Sequence, residues 1–174
     1  VDGLRSKEPG GKNVPKTIAR SIRLTRPFRS TQEKALIALM RTTDKVQQVP
    51  REVLRPYNLS IQQYNVLRIL RGAAPRGLQT YQVVERMVTR APNITRLVDK
   101  LERKGFIRRK RSTRDMRVIN LKITPKGRVL LEELDPPMDR ASLQAMVGLK
   151  ARELRALVEL LDRLRGPHEE ETQE

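Results

Sequence analysis

One stretch constrains the fold more than any other: residues 91–127, APNITRLVDKLERKGFIRRKRSTRDMRVINLKITPKG. Ile94, Leu97, Val98 and Leu101 recur at the spacing of a single buried helical stripe. Arg96, Lys100 and Arg103 project from the opposite face, with Asn93 and Thr95 flanking it near the N-terminus. Gly105 is a natural stop, because the left-handed cap conformation costs glycine little. Phe106-Ile107 and residues 118–123 are β-prone, and the second run alternates from Ile119 as a half-buried strand should. Between them lies a basic turn, residues 108–117. Thr124-Pro125 then starts another helix, with a capping hydroxyl followed by proline in the first helical position. A basic hairpin after a helix with a basic outer face is the arrangement by which a winged helix-turn-helix meets DNA.

Charge supports a polyanionic partner. The chain of 174 residues carries a formal net charge of +17. Residues 1–29 hold eight basic and two acidic side chains, and residues 86–117 hold twelve basic and three acidic. Those two segments account for nearly all of the excess, and clustered positive charge is the footprint of a nucleic acid. A membrane surface is the competing polyanion, but the chain has no long apolar run and no lipid-anchor motif. A polar start without an apolar signal core points to the cytoplasm.

Asp115-Met116-Arg117, five further residues, then Ile123-Thr124 and Gly127 resembles the D-x-R, Leu/Ile-T-x-x-G signature of the MarR family of bacterial transcription regulators. Residues 95–105 resemble the recognition helix of that family and its end. Met116 departs from the pattern, standing where many members carry a second arginine. The resemblance spans residues 30–165. It implies a mainly helical fold with a small β-wing, dimerised through its N- and C-terminal helices. It also implies that Arg114 and Arg117 approach the minor groove, with Asp115 orienting the arginine through an ion pair.

In chain order, residues 1–29 form a basic arm without sustained periodicity, suited to lie along phosphates or on a second subunit. Ser30 and Glu33 make a capping box for a first helix that Pro50 should kink or end. Residues 51–57 resume as a short helix. Ser60 and Gln63 make a second capping box, for a helix ending at Gly72. Residues 76–79 can add a very short third strand to the wing. Thr80 is placed to cap a helix reaching residue 88, with Tyr81, Val83, Val84, Met87 and Val88 as its apolar side. That helix and residues 91–104 form the helix-turn-helix pair, with Thr89 a candidate cap for the second helix and Pro92 tolerable in its first turn. The DNA-binding lobe therefore spans about residues 60–124. Asp135-Pro136-Pro137 should break the helix that starts at Thr124, giving a further helix through Leu143, Met146 and Val147. A leucine-rich last helix, residues 150–164, carries a wide apolar face that needs a cover. Residues 166–174 read as an acidic tail.

The function expected is a sequence-specific regulator that binds a palindromic duplex operator as a homodimer, a repressor released by a small ligand. The alternative is a winged-helix module for RNA or protein without operator specificity. Donors for base edges and phosphates are Asn93, Thr95, Arg96 and Lys100 behind Pro92, and Arg111, Arg114 and Arg117 with Asp115 in the wing. Asp99 is a counterweight, unfavourable beside phosphates unless Arg96 or Arg103 neutralises it. An enzyme is not expected: the one histidine is His168, in the tail, and neither a glycine-rich phosphate loop nor metal-ligand spacing occurs. Without cysteine there is no disulfide, thiolate metal site or thiol switch, and no cofactor is expected. The family resemblance implies a small aromatic or anionic effector held between dimerisation helices and DNA-binding lobe, and Arg41, Tyr64 and Arg68 are the side chains proposed to line that crevice.

Overall fold

The structure, a computed structural model, describes residues 17–89, 93–111 and 118–170, with side chains to Gly166. The chain divides into two compact units, Val1–Lys45 and Val46–Glu174. The elements are α1 (Ile18–Ser21), α2 (Thr31–Leu54), a 3-10 turn (Arg55–Tyr57), α3 (Ile61–Gly72), α4 (Thr80–Glu85), α5 (Ile94–Arg103), β1 (Ile107–Arg111), β2 (Ile119–Ile123), α6 (Pro125–Ala145) and α7 (Ala151–Glu170). Among the described residues, no helix is long and apolar enough to cross a membrane.

In the first unit, the Ser30 hydroxyl caps α2 by accepting the Glu33 N–H at 3.0 Å. The return bond differs from the expected box. Glu33 Oε2 accepts from the Arg29 N–H, at 2.6 Å, rather than from Ser30. Leu36, Leu39 and Met40 of this unit are exposed.

The core of the second unit is built around α3, which packs against α4, α5, α6 and β2. Val66, Leu67 and Leu70 of α3 are fully buried with Val83, Val98, Leu101, Ile107, Leu121, Leu131 and Leu134. Its capping box is complete: Gln63 N–H donates to Ser60 Oγ and Ser60 N–H to Gln63 Oε1, both at 3.1 Å. The wing is an antiparallel pair in which Ile107 faces Ile123 and Arg111 faces Ile119. The expected third strand is a single bridge, Leu78 to Leu121, closed by N–H···O bonds of 3.0 and 2.7 Å. An arginine fork fixes α3 to α6, with Arg71 donating to both oxygens of Asp135 at 2.6 and 3.0 Å. That pairing lowers the Asp135 pKa from its ordinary 3.8, chiefly through the hydrogen bonds from Arg71.

Several boundaries differ from the sequence reading, and proline accounts for two. Pro50 neither ends α2 nor separates it from a new helix, since α2 continues to Leu54 before tightening into the 3-10 turn. Pro136 and Pro137 likewise sit inside α6, which runs unbroken to Ala145, so no separate helix carries Leu143. The donors these two prolines lack would serve the carbonyls four residues back, at Glu132 and Glu133, whose side chains face water. Leu130, Leu131 and Leu134 before them and Ala141 after them are buried, so packing spans the gap. The cap of α4 is Gln79, whose N–H donates to Gln82 Oε1 at 3.0 Å, and Thr80 is already helical. With α4 ending at Glu85, Val88 turns outward at 88% exposure and its N–H donates to Asn65 Oδ1 at 3.0 Å. Tyr81, expected in the core, is 56% exposed. At the other end, α7 extends to Glu170, past the point where the tail was expected to begin. Its Val158, Leu160 and Leu164 are exposed.

The joint between wing and α6 explains the signature residues that the structure describes. Thr124 Oγ1 accepts the Gly127 N–H at 3.1 Å and donates to the Gly105 carbonyl at 2.7 Å. Gly127 lies so close to the turn before β1 that a Cβ there would meet the Phe106 oxygen at 2.3 Å. Any side chain must therefore push backbone from backbone. Gly127→Ala should destabilise the fold by about 1–3 kcal/mol, the usual cost of overpacking. Thermal unfolding followed by circular dichroism checks this, and a midpoint within one degree of the parent would show that the joint yields freely.

Candidate nucleic-acid interface

Helix α5 separates its two faces cleanly. Val98 and Leu101 are buried, Ile94 and Leu97 are half-buried, and Thr95, Arg96, Lys100 and Arg103 are exposed. Asn93 occupies the N-cap position, exposed, without a side-chain cap bond. The helix ends as the sequence predicts. Gly105 adopts φ +75°, its N–H bonds to the Glu102 carbonyl at 2.8 Å, and the Phe106 N–H bonds to the Leu101 carbonyl at 3.0 Å. This double closure satisfies carbonyls that the helix would otherwise leave open, and only a left-handed residue permits it. The chain is thereby turned straight into β1.

In β1 the basic run continues as strand rather than turn, with Ile107 buried and the four residues Arg108, Arg109, Lys110 and Arg111 exposed. Strand alternation puts Arg109 on the same side as Ile107, toward α5. There its guanidinium bridges two carboxylates, donating to Asp99 Oδ1 at 2.5 Å and to Glu102 Oε2. The Arg109 main-chain N–H adds a bond to Glu102 Oε1 at 2.9 Å. The hydrogen bond to Asp99 is the main reason the guanidinium pKa is raised, with Glu102 reinforcing it. So the Asp99 charge is neutralised by Arg109, and not by Arg96 or Arg103 as the sequence suggested. Arg96 and Arg103 keep exposed charges on the outer face.

Sequence reasoning missed Arg109 because it placed the residue in a turn. The available signal was the pair Asp99 and Glu102, one helical turn apart on a face otherwise basic. Two further lysines are tied inward: Lys104 donates to the Asn58 carbonyl at 2.5 Å and Lys126 to the Lys104 carbonyl at 3.0 Å.

Of the residues expected to touch DNA, Asn93, Thr95, Arg96 and Lys100 lie at the start and along the outer face of α5, and Arg111 ends β1. Pro92, Arg114, Asp115 and Arg117 lie outside the described residues, as does the expected ion pair of Asp115. Of the residues expected to hold an effector, Tyr64 is buried, with the Arg68 guanidinium 5.8 Å from its ring centroid. Burial is the main cause of its raised hydroxyl pKa. Arg41 is an exposed residue of the first unit.

A small, mostly helical domain with a two-stranded wing after a basic helix defines a winged helix-turn-helix protein. Comparison with known proteins gives the family. The MarR family model matches residues 59–119. The MarR transcription factor of Planctomyces limnophilus is 35% identical, with a TM-score of 0.61, over 78% of this chain and 98% of that one. The uncharacterized HTH-type transcriptional regulator YkoM of Bacillus subtilis (strain 168) is 32% identical over 99 residues. That match takes in 57% of this chain and 63% of YkoM. A third relative is BpsR of Bordetella bronchiseptica, whose DNA binding is regulated by 6-hydroxynicotinic acid. It shares the fold at 21% identity and a TM-score of 0.71, over 81% of this chain and 99% of its own. The chain belongs to the MarR family of transcription regulators, a family of regulators rather than enzymes.

The Arg109 bridge is open to direct measurement. A double-mutant cycle of Arg109→Gln with Glu102→Gln should return a coupling of about 1 kcal/mol at low salt, the upper part of the range for partly exposed pairs. Urea unfolding of the four proteins gives the number. Zero coupling at low salt would mean that the fork does not hold in solution.

Proposed function

We propose that this protein is a homodimeric, sequence-specific binder of duplex DNA that represses transcription and is released by a small organic ligand. The observation that carries the DNA reading is the outer face of α5. Thr95, Arg96, Lys100 and Arg103 stand exposed there, while the carboxylates that would repel phosphates are tied to Arg109. Inserted in a major groove, such a face offers donors to guanine edges from Arg96 and Lys100, and Asn93 and Thr95 beside them for adenine edges or phosphates. The wing adds the charge of Arg111 and, as the family resemblance implies, Arg114 and Arg117 approaching the minor groove.

The dimer reading rests on uncovered apolar side chains. Leu36 and Met40 of the first unit are exposed, as are Leu143, Val147, Val158, Leu160 and Leu164 of the second. A partner copy covering these faces would take from water large apolar side chains that each unit by itself leaves exposed. Two-fold symmetry then asks for a palindromic operator, its half-sites about one helical turn, roughly 34 Å, apart. Sedimentation at micromolar concentration should show a dimer, and a folded monomer would refute it.

The effector reading is supported by the regulation of BpsR by 6-hydroxynicotinic acid, an aromatic acid. With no cysteine in the chain, release through thiol oxidation is excluded. A ligand that favours one dimer geometry would separate the recognition helices from the spacing that DNA requires. It shifts binding only by its differential affinity, so a loss of about 100-fold needs about 2.7 kcal/mol of coupling.

One experiment tests the whole reading. Sequences retained from random duplex DNA should converge on a palindrome, and Arg96→Ala should relax one position at a cost of about 1–3 kcal/mol. The selected operator, titrated with a panel of aromatic carboxylates, should be released by at least one of them. A random selected pool would refute operator specificity. A palindrome that no organic anion releases, while zinc does, would refute the effector.

A further inference from the structure

In the second unit a cleft of about 710 Å³ opens where the end of α2, the start of α3 and the C-terminal half of α5 converge. Its charged lining is Arg51, Arg55, Lys100, Arg103 and Lys104 against a single carboxylate, Glu52. Glu52 is already paired with Arg55 at 3.1 Å, and one of the contacts of Arg51 is a bond to Gln47 Oε1 at 2.7 Å. Lys100 and Arg103 make no side-chain hydrogen bond or ion pair among the described residues. Lys104 is fastened on the Asn58 carbonyl, and partial desolvation together with the neighbouring Lys100 charge lowers its pKa. Five cationic side chains and one carboxylate therefore line the concavity.

The volume suits a small molecule, and the sole apolar side chain in the lining is Leu59. The cationic groups among these walls favour an occupant with several negative oxygens, to which guanidinium and ammonium groups can each donate.

We propose that this cleft is a binding site for a compact polyanion bearing two or more phosphate groups, which shares Lys100 and Arg103 with the outer face of α5. Two sources supply that chemistry: a free phosphorylated small molecule, or successive backbone phosphates of a bound duplex. In the first case the molecule and DNA compete for the same two side chains. That competition rests on α5 being the DNA-contacting helix, whereas the site itself does not.

The test uses the full chain and tripolyphosphate. In calorimetry without DNA, tripolyphosphate should bind, and Arg51→Gln/Arg55→Gln should weaken it about tenfold, because both side chains line the cleft. A charge-matched change on α7, Arg152→Gln/Arg155→Gln, should leave it unaltered. The sources separate on operator DNA. If the occupant is a free molecule, the Arg51/Arg55 variant keeps the parental salt dependence and escapes displacement by tripolyphosphate. If DNA phosphates enter, the variant lowers the slope of log affinity against log salt by about one to two. Tripolyphosphate binding that is absent, or equal in the parent and the Arg51/Arg55 variant, together with an unchanged slope, overturns the site. Should the chain bind no DNA at all, calorimetry still decides the cleft by itself.

Discussion

The wing, the end of α5 and the long α6 all meet at Thr124. Its hydroxyl accepts a bond from the first turn of α6 and donates to the turn that terminates α5. Its own N–H donates to the Phe106 carbonyl at 3.0 Å. One short polar side chain thus satisfies groups on both sides of the hairpin, where buried or half-buried backbone would otherwise lack partners. Gly127 completes the joint by allowing α6 to approach the Phe106 carbonyl. A threonine and a glycine three residues later are required for different reasons, one for its hydroxyl and the other for its missing Cβ.

Electrostatics around α5 follow from that joint. Because Gly105 and Phe106 return the chain sharply, β1 runs beside the helix it follows, and Arg109 arrives opposite Asp99 and Glu102. The bridge has two consequences. It ties strand to helix with charge-assisted bonds, and it cancels negative charge beside the basic face. A lysine could cancel one charge but could not span two carboxylates with a planar fork. The remaining cations of α5, Arg96, Lys100 and Arg103, stay exposed on its outer face.

Much of this was legible in residue order. Local signals depend on a few neighbouring side chains, and they appear where expected: Ser60 with Gln63, Thr124 before Pro125, Gly105 after α5. The buried stripe of α5 and the alternation of β2 follow from the periods of helix and strand. Proline was the misleading signal. Pro50, Pro136 and Pro137 disfavour a helix locally, yet α2 and α6 continue through them. In α6, apolar residues on both sides of the pair bury one face, and the carbonyls left without donors belong to solvent-facing residues. The short α4 misled in the opposite direction: it ends at Glu85, so Val88 falls beyond it and turns outward, and Tyr81 lies on its exposed side.

Composition and order alone established a basic, cysteine-free chain with a helix, a hairpin and a helix start in the sequence of a winged helix-turn-helix. These are properties of spacing, and spacing acts over one or two turns. The tertiary structure decided which arginine neutralises Asp99, why residue 127 has no room for a side chain, and that Arg51 and Arg55 gather with Lys100, Arg103 and Lys104 around one cleft. Each is a meeting of residues from separate elements. No period in the chain encodes such meetings, because they depend on how the elements pack.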